Sequence, residues 1–117
     1  MREFETGATR DDEGDKLDYE GFLSPVVLEC YARYMHEHRK QSDGELRSGD
    51  NWQKGIPKDA YMKSLIRHIF ALWYTYRTDG CNGIPLEESL CAIIFNAQGL
   101  LFELLAEGRP DLRPSSS

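Results

Sequence analysis

The chain has 117 residues, of which 40% are apolar and 11% aromatic, with 14 Lys and Arg against 20 Asp and Glu. That length implies a single domain, and that apolar content is too rich for a wholly disordered chain. The net charge of -6 argues against a dedicated binder of long nucleic acid, which needs a clustered basic surface. The acidity is local: residues 1–20 carry three basic and eight acidic side chains, and residues 21–117 carry eleven and twelve. Cys30, Cys81 and Cys91 are odd in number and form no CxxC pair, which fits free thiols in a reduced cytoplasmic compartment. The N-terminus has no apolar leader, and no apolar run approaches the roughly 20 residues of a membrane span, so no membrane association is expected.

Residues 1–15 read as an acidic, solvated arm. Residues 16–23 mix charges with Leu17, Tyr19, Phe22 and Leu23 and read as an ordered, extended strap that packs on the body. Ser24-Pro25 starts the first main helix, with Ser as N-cap and Pro at the first helical position. The helix is expected to run to about Lys40 on a stripe of Leu28, Tyr31 and Met35. Residues 41–56 form a long connection with three Gly, a length that is uncommon inside a compact domain and often functional.

Pro57 opens the second main helix, which ends near Arg77; Tyr61, Leu65, Ile69, Leu72 and Tyr76 trace its expected buried face, widened by Met62, Ile66 and Trp73. The turn chemistry of residues 78–83 leads to a third helix starting at Pro85, with Glu87 and Glu88 at the positive end of its dipole. This helix is apolar on most sides and is stopped by Gly108-Arg109-Pro110. A helix apolar all round lies at the centre of a domain or in an oligomer interface. The expected fold is therefore all-α: a small bundle of three main helices over residues 16–108, with a flexible tail over residues 109–117. Three helices make a small core, so a homodimer or higher homo-oligomer is expected.

On the third helix Ser89, Ala92, Asn96, Gly99 and Glu103 recur at spacings of 3, 4, 3 and 4, which places them on one face. Small residues there permit close approach of another backbone or of a flat ligand. Asn96 then either lines a pocket or bonds across a tight helix seam. His68 lies between Leu65 and Leu72 and faces inward, as a satisfied core residue or as a site residue. Arg67 points elsewhere; its planar fork suits a phosphate, or equally a surface ion pair with Asp18. In the connection, Trp52 could stack a purine and Lys54 meet a phosphate, with Gly55 letting backbone approach; alternatively Trp52 plugs the loop onto the core and Asn51 caps a turn.

Metal chemistry has weak support. Glu29, Glu87, Glu88 and Glu103 have no acidic partner three residues on, Glu103 and Glu107 read as a solvated edge, and His36 and His38 point to opposite sides of a helix. There is no phosphate-binding glycine loop and no nucleophile elbow.

Lys16-Leu17-Asp18-Tyr19, the stretch Asp50-Asn51-Trp52-Gln53-Lys54-Gly55-Ile56-Pro57, the pair Arg67-His68, and Glu87-Glu88 followed by Phe95-Asn96 occur in that order. Together they resemble the phage dATP/dGTP diphosphohydrolase N-terminal domain family over about residues 14–106. The resemblance implies an all-α fold, a phage origin with a host-cytoplasm location, and a purine deoxynucleotide ligand. By similarity it nominates Lys16, Asp18, Asn51, Trp52, Lys54, Arg67 and Asn96 for nucleotide binding. It also nominates Glu88 and His68 for catalysis, with Mg²⁺ as the implied cofactor and release of pyrophosphate as the implied reaction. The family pattern places a His near the start of the last helix, where this chain has Ser89-Leu90-Cys91. Two other functions fit the same residues: a non-catalytic protein that sequesters a nucleotide, such as an anti-defence sponge, and a helical oligomerisation module.

Overall fold

The computed structural model describes residues 2–10, 14–79 and 83–114. Among these the chain is all-α apart from an isolated bridge between Lys40 and Leu46 and a two-residue pairing near the N-terminus, where β1 (Arg2–Glu3) runs antiparallel to β2 (Thr9–Arg10). Four α-helices follow: α1 (Tyr19–Phe22), α2 (Pro25–Glu37), α3 (Lys58–Arg77) and α4 (Leu86–Ala106), with 3₁₀ turns at Asn51–Lys54 and Pro110–Leu112. Helices α2, α3 and α4 are the three main helices anticipated from sequence.

The helix starts follow local chemistry. At α2 the Ser24 hydroxyl accepts from the Val27 amide at 3.2 Å, with Pro25 at the first helical position. Pro57 and Pro85 occupy the residue just before α3 and α4, both in the extended conformation that precedes a helix. The strap differs from expectation. Residues 19–22 form one helical turn rather than an extended run, because the Asp18 carboxylate accepts from the Gly21 amide at 2.8 Å and closes it. Leu17, Tyr19 and Phe22 are exposed on this single chain.

The α2 helix ends at Glu37, three residues before the expected Lys40. From there the chain turns back on itself. Lys40 bridges Leu46, the Arg47 amide donates to the Arg39 carbonyl at 2.8 Å, and Asp43-Gly44 makes the turn with Gly44 at φ +87°. A left-handed residue here favours glycine.

The core is the seam between α3 and α4, which run antiparallel: Lys58 at the start of α3 pairs with Glu107 just beyond the end of α4. Ser89, Ala92, Asn96, Gly99 and Glu103 are all buried in this seam. On α3 the facing side is Tyr61, Leu65, His68, Leu72 and Thr75, not the side through Ile69 and Tyr76, which are exposed. Tyr61 is the largest fully buried side chain, 1% exposed, with its ring lying over Gly99 and edge-on to Phe95. Helix α2 docks on the other flank of α4, where the Cys30 and Cys91 sulfurs are 3.9 Å apart; no residue of α2 is fully buried.

The buried Tyr61 hydroxyl has no hydrogen-bond partner among the described residues, and burial together with the nearby Glu103 carboxylate pushes its pKa up to about 12. An unpaired buried hydroxyl costs about 1–3 kcal/mol. Tyr61→Phe is therefore expected to raise the unfolding free energy by about 1 kcal/mol at neutral pH, read from the urea midpoint. The sign with pH also follows. A tyrosine whose folded pKa lies above its unfolded value of 10 stabilises below that value and loses the contribution as pH rises towards about 12. The alkaline loss of stability should therefore be smaller in the Phe variant, and an unchanged alkaline limb would refute the assignment.

Candidate functional site

The short α2 and the turn after it create a cleft of about 430 Å³ between α2, residues 47–56 and α4. Its floor is aromatic, with Tyr31, Trp52 and Phe95, and its rim carries His36, His38, Arg39 and Arg47. A cavity of this size suits a small organic ligand. The Trp52 indole meets Phe102 edge-on with ring centroids 5.0 Å apart, so it fastens the loop to α4 while also lining the cleft.

The basic rim is held by short-range geometry. The Arg39 guanidinium donates to the His36 carbonyl at 2.9 Å and lies 3.2 Å from the His36 ring nitrogen. The His38 Nδ1 is 2.7 Å from the Tyr34 carbonyl, and its ring stacks on Tyr34 with centroids 4.1 Å apart. His36 and His38 reach the same cleft because α2 stops between them, whereas a helix continuing to Lys40 would have split them.

A clasp anchors the loop from behind. Arg113, beyond the 3₁₀ turn at Pro110–Leu112, grips both Glu103 carboxylate oxygens at 2.8 and 3.0 Å and donates to the Gln53 carbonyl at 3.3 Å. Glu103 is 7% exposed, not the solvated edge expected from sequence. Hydrogen bonding to Arg113 holds its carboxyl below the usual range, against the opposing effect of burial, and the Ile56 amide adds a further hydrogen bond. One carboxylate thus ties together α4, the tail and the loop that carries Asn51 and Trp52.

Of the residues nominated in the sequence, Asn51 and Trp52 line the cleft. Lys54 ends the 3₁₀ turn and is exposed. Lys16 and Asp18 lie outside the cleft lining, Asp18 serving as the cap of α1. Arg67 is exposed on α3, and His68 is half-buried in the α3–α4 seam. Asn96 is absent from the lining of this cleft, and its amide donates to the Ala92 carbonyl on its own helix at 2.8 Å.

Glu88 sits in a separate groove of about 410 Å³ on the opposite flank of α2, with Glu29, Glu37, Glu87 and Arg33. Arg33 pairs with Glu29 at 3.3 Å. No group of three or more His, Cys, Asp or Glu side chains among the described residues converges to hold a metal ion. A larger hollow of about 730 Å³ at the α3–α4 turn has no Lys, Arg or His among its described lining residues.

Arg39, Arg47, Tyr31 and the His pair were not singled out in the sequence as site residues. The available signal was Asp43-Gly44, a tight-turn dipeptide that folds residue 47 back onto residue 39. No family model, curated protein or solved structure matches the chain.

Proposed function

We propose that the cleft between α2, the Arg47–Ile56 segment and α4 binds a small purine nucleotide without turning it over. The observation that carries this reading is the pairing, within one cavity of about 430 Å³, of aromatic faces with two guanidinium groups at the rim. An aromatic surface stacks a base, and Arg provides parallel donors for phosphate oxygens. The near-neutral body, with eleven basic and twelve acidic side chains over residues 21–117, presents no general barrier to a single anion. The resemblance seen in the sequence points to the same ligand class. Sequestration is favoured over hydrolysis by the placement of Glu88 and His68, which lie across α2 and inside the α3–α4 seam rather than at the cleft.

Titration of the full chain with dATP and dGTP should quench Trp52 fluorescence and give saturable heat in calorimetry. Arg47→Ala, an exposed rim residue, should weaken binding at least about tenfold while leaving the melting temperature unchanged, the loss expected for one charged contact to phosphate. Ligand recovered after denaturing the complex formed with Mg²⁺ present should be intact triphosphate. Monophosphate and pyrophosphate would instead establish a hydrolase, and the absence of binding across a nucleotide panel would remove the proposal altogether.

A further inference from the structure

Helices α3 and α4 each carry a second apolar stripe, turned away from the seam they share. On α3 it is Met62, Ile66, Ile69, Trp73 and Tyr76, at spacings of 4, 3, 4 and 3, and all five are exposed. On α4 it is Leu90, Ile94, Ala97, Leu101 and Leu104, with the same spacings and no acidic or basic residue between Ser89 and Phe102. Such a repeat is the pattern of helices that pack knobs into holes against further helices.

At about 100° per residue, both stripes lie about 120° round from the seam-facing residues His68 and Asn96, in the same rotational sense. Because the two helices are antiparallel, that places both stripes on one side of the two-helix layer. Cys91, which meets α2, lies on the opposite side. The layer therefore has one covered side and one bare apolar side.

The area is large. The chain exposes 9451 Å², whereas a compact monomer of its mass exposes about 6,500 Å². Its radius of gyration is 19.2 Å, against about 13 Å for a compact chain of this length. The N-terminal arm contributes to both excesses, but Ile66 at 57%, Trp73 at 63%, Tyr76 at 72% and Leu101 at 57% exposed are helical positions. A standard interface needs only about 800 Å² from each partner.

We propose that this face is covered by the same face of a second copy of the chain, so that α3 and α4 of two protomers form a four-helix bundle about a two-fold axis. A second copy fits the observations because the surface is self-complementary: two uncharged stripes with one repeat can meet their own symmetry mates. The competing occupant is a lipid surface, since α4 has the length and mean hydropathy, 1.7, of a membrane-crossing helix. Against it, α4 buries Asn96 and an ion-paired Glu103 within its span.

Sedimentation equilibrium of the full chain without detergent should give twice the 13.5 kDa chain mass. The urea midpoint should rise with protein concentration, because association and folding are linked. Leu101→Glu should abolish the double mass, and Lys63→Glu, off the stripe, should retain it. If the Leu101 variant fails to fold, the concentration dependence of the wild-type midpoint decides. A wild-type chain at single mass with a concentration-independent midpoint overturns the proposal. So does a double mass that survives Leu101→Glu, or flotation of the wild type with phosphatidylcholine vesicles.

Discussion

Replacing Arg113 with Ala is expected to lower the urea midpoint at neutral pH, although Arg113 lies near the C-terminus, outside every α-helix. Removing one partner of an ion pair strands the other charge. The stranded group here is the Glu103 carboxylate, whose side chain is only 9% exposed, against 33% for that of Arg113. The pH dependence follows from the direction of the Glu103 shift. Its folded pKa lies below the ordinary 4.5, so the stabilisation is fully present above that value and is lost as pH falls through the lowered folded value. The gap between wild type and Arg113→Ala, measured by urea unfolding at steps from about pH 7 to about pH 3, should therefore close on the acid side. A gap that stays constant over that range would show that Arg113 acts through packing rather than through the carboxylate. The same variant frees the Gln53 carbonyl, so the loop bearing Trp52 should become more accessible to protease.

Gly99→Ala is expected to destabilise the chain by about 1–2 kcal/mol even though alanine is the better helix former. A Cβ built at position 99 would lie 2.3 Å from two atoms of the Tyr61 ring and 2.6 Å from its hydroxyl oxygen. That ring is fully buried and cannot swing aside, so either α3 and α4 separate or Tyr61 leaves its rotamer. Overpacking of this kind costs about 1–3 kcal/mol, offset by up to about 1 kcal/mol of helix propensity. The two effects separate in a double-mutant cycle. In a Tyr61→Ala background the clash is gone, and Gly99→Ala should turn neutral or stabilising by thermal or urea unfolding. Destabilisation of equal size in both backgrounds would mean that Gly99 is required for some reason other than the Tyr61 ring.

These positions show what could and could not be read before the structure. Ser24-Pro25, Pro57 and Pro85 announce three helices because proline and a hydroxyl cap act on the backbone locally, and the structure has helices starting within a residue of each. The 3-4-3-4 recurrence from Ser89 to Glu103 is also local, and it marks the face that α3 covers. The α3 face was misplaced, since apolar residues surround most of that helix and periodicity alone does not say which side meets the neighbour. His68 and Thr75 face the seam, while Ile69 and Tyr76 do not.

The Arg113 clasp was out of reach for another reason. It joins residues 53, 103 and 113, and nothing in a short window of sequence encodes that meeting. The cleft lies between these cases. Asn51 and Trp52 stood out by composition, whereas Arg39 and Arg47 meet only because the helix stops early and the chain reverses at Asp43-Gly44.

The sparse burial of α2 bears on how tightly the cleft can hold anything. This helix supplies Tyr31, Met35 and His36 to the wall, yet it rests on α4 mainly through the neighbourhood of Cys30 and Cys91, with no fully buried residue of its own. A wall with so few buried contacts opens more cheaply than the α3–α4 seam. Part of any ligand's interaction energy is then spent on holding that wall shut, so affinity falls below what the aromatic and guanidinium contacts alone would supply. Stiffening the contact between α2 and α4 is then a route to tighter capture that leaves every contacting residue in place.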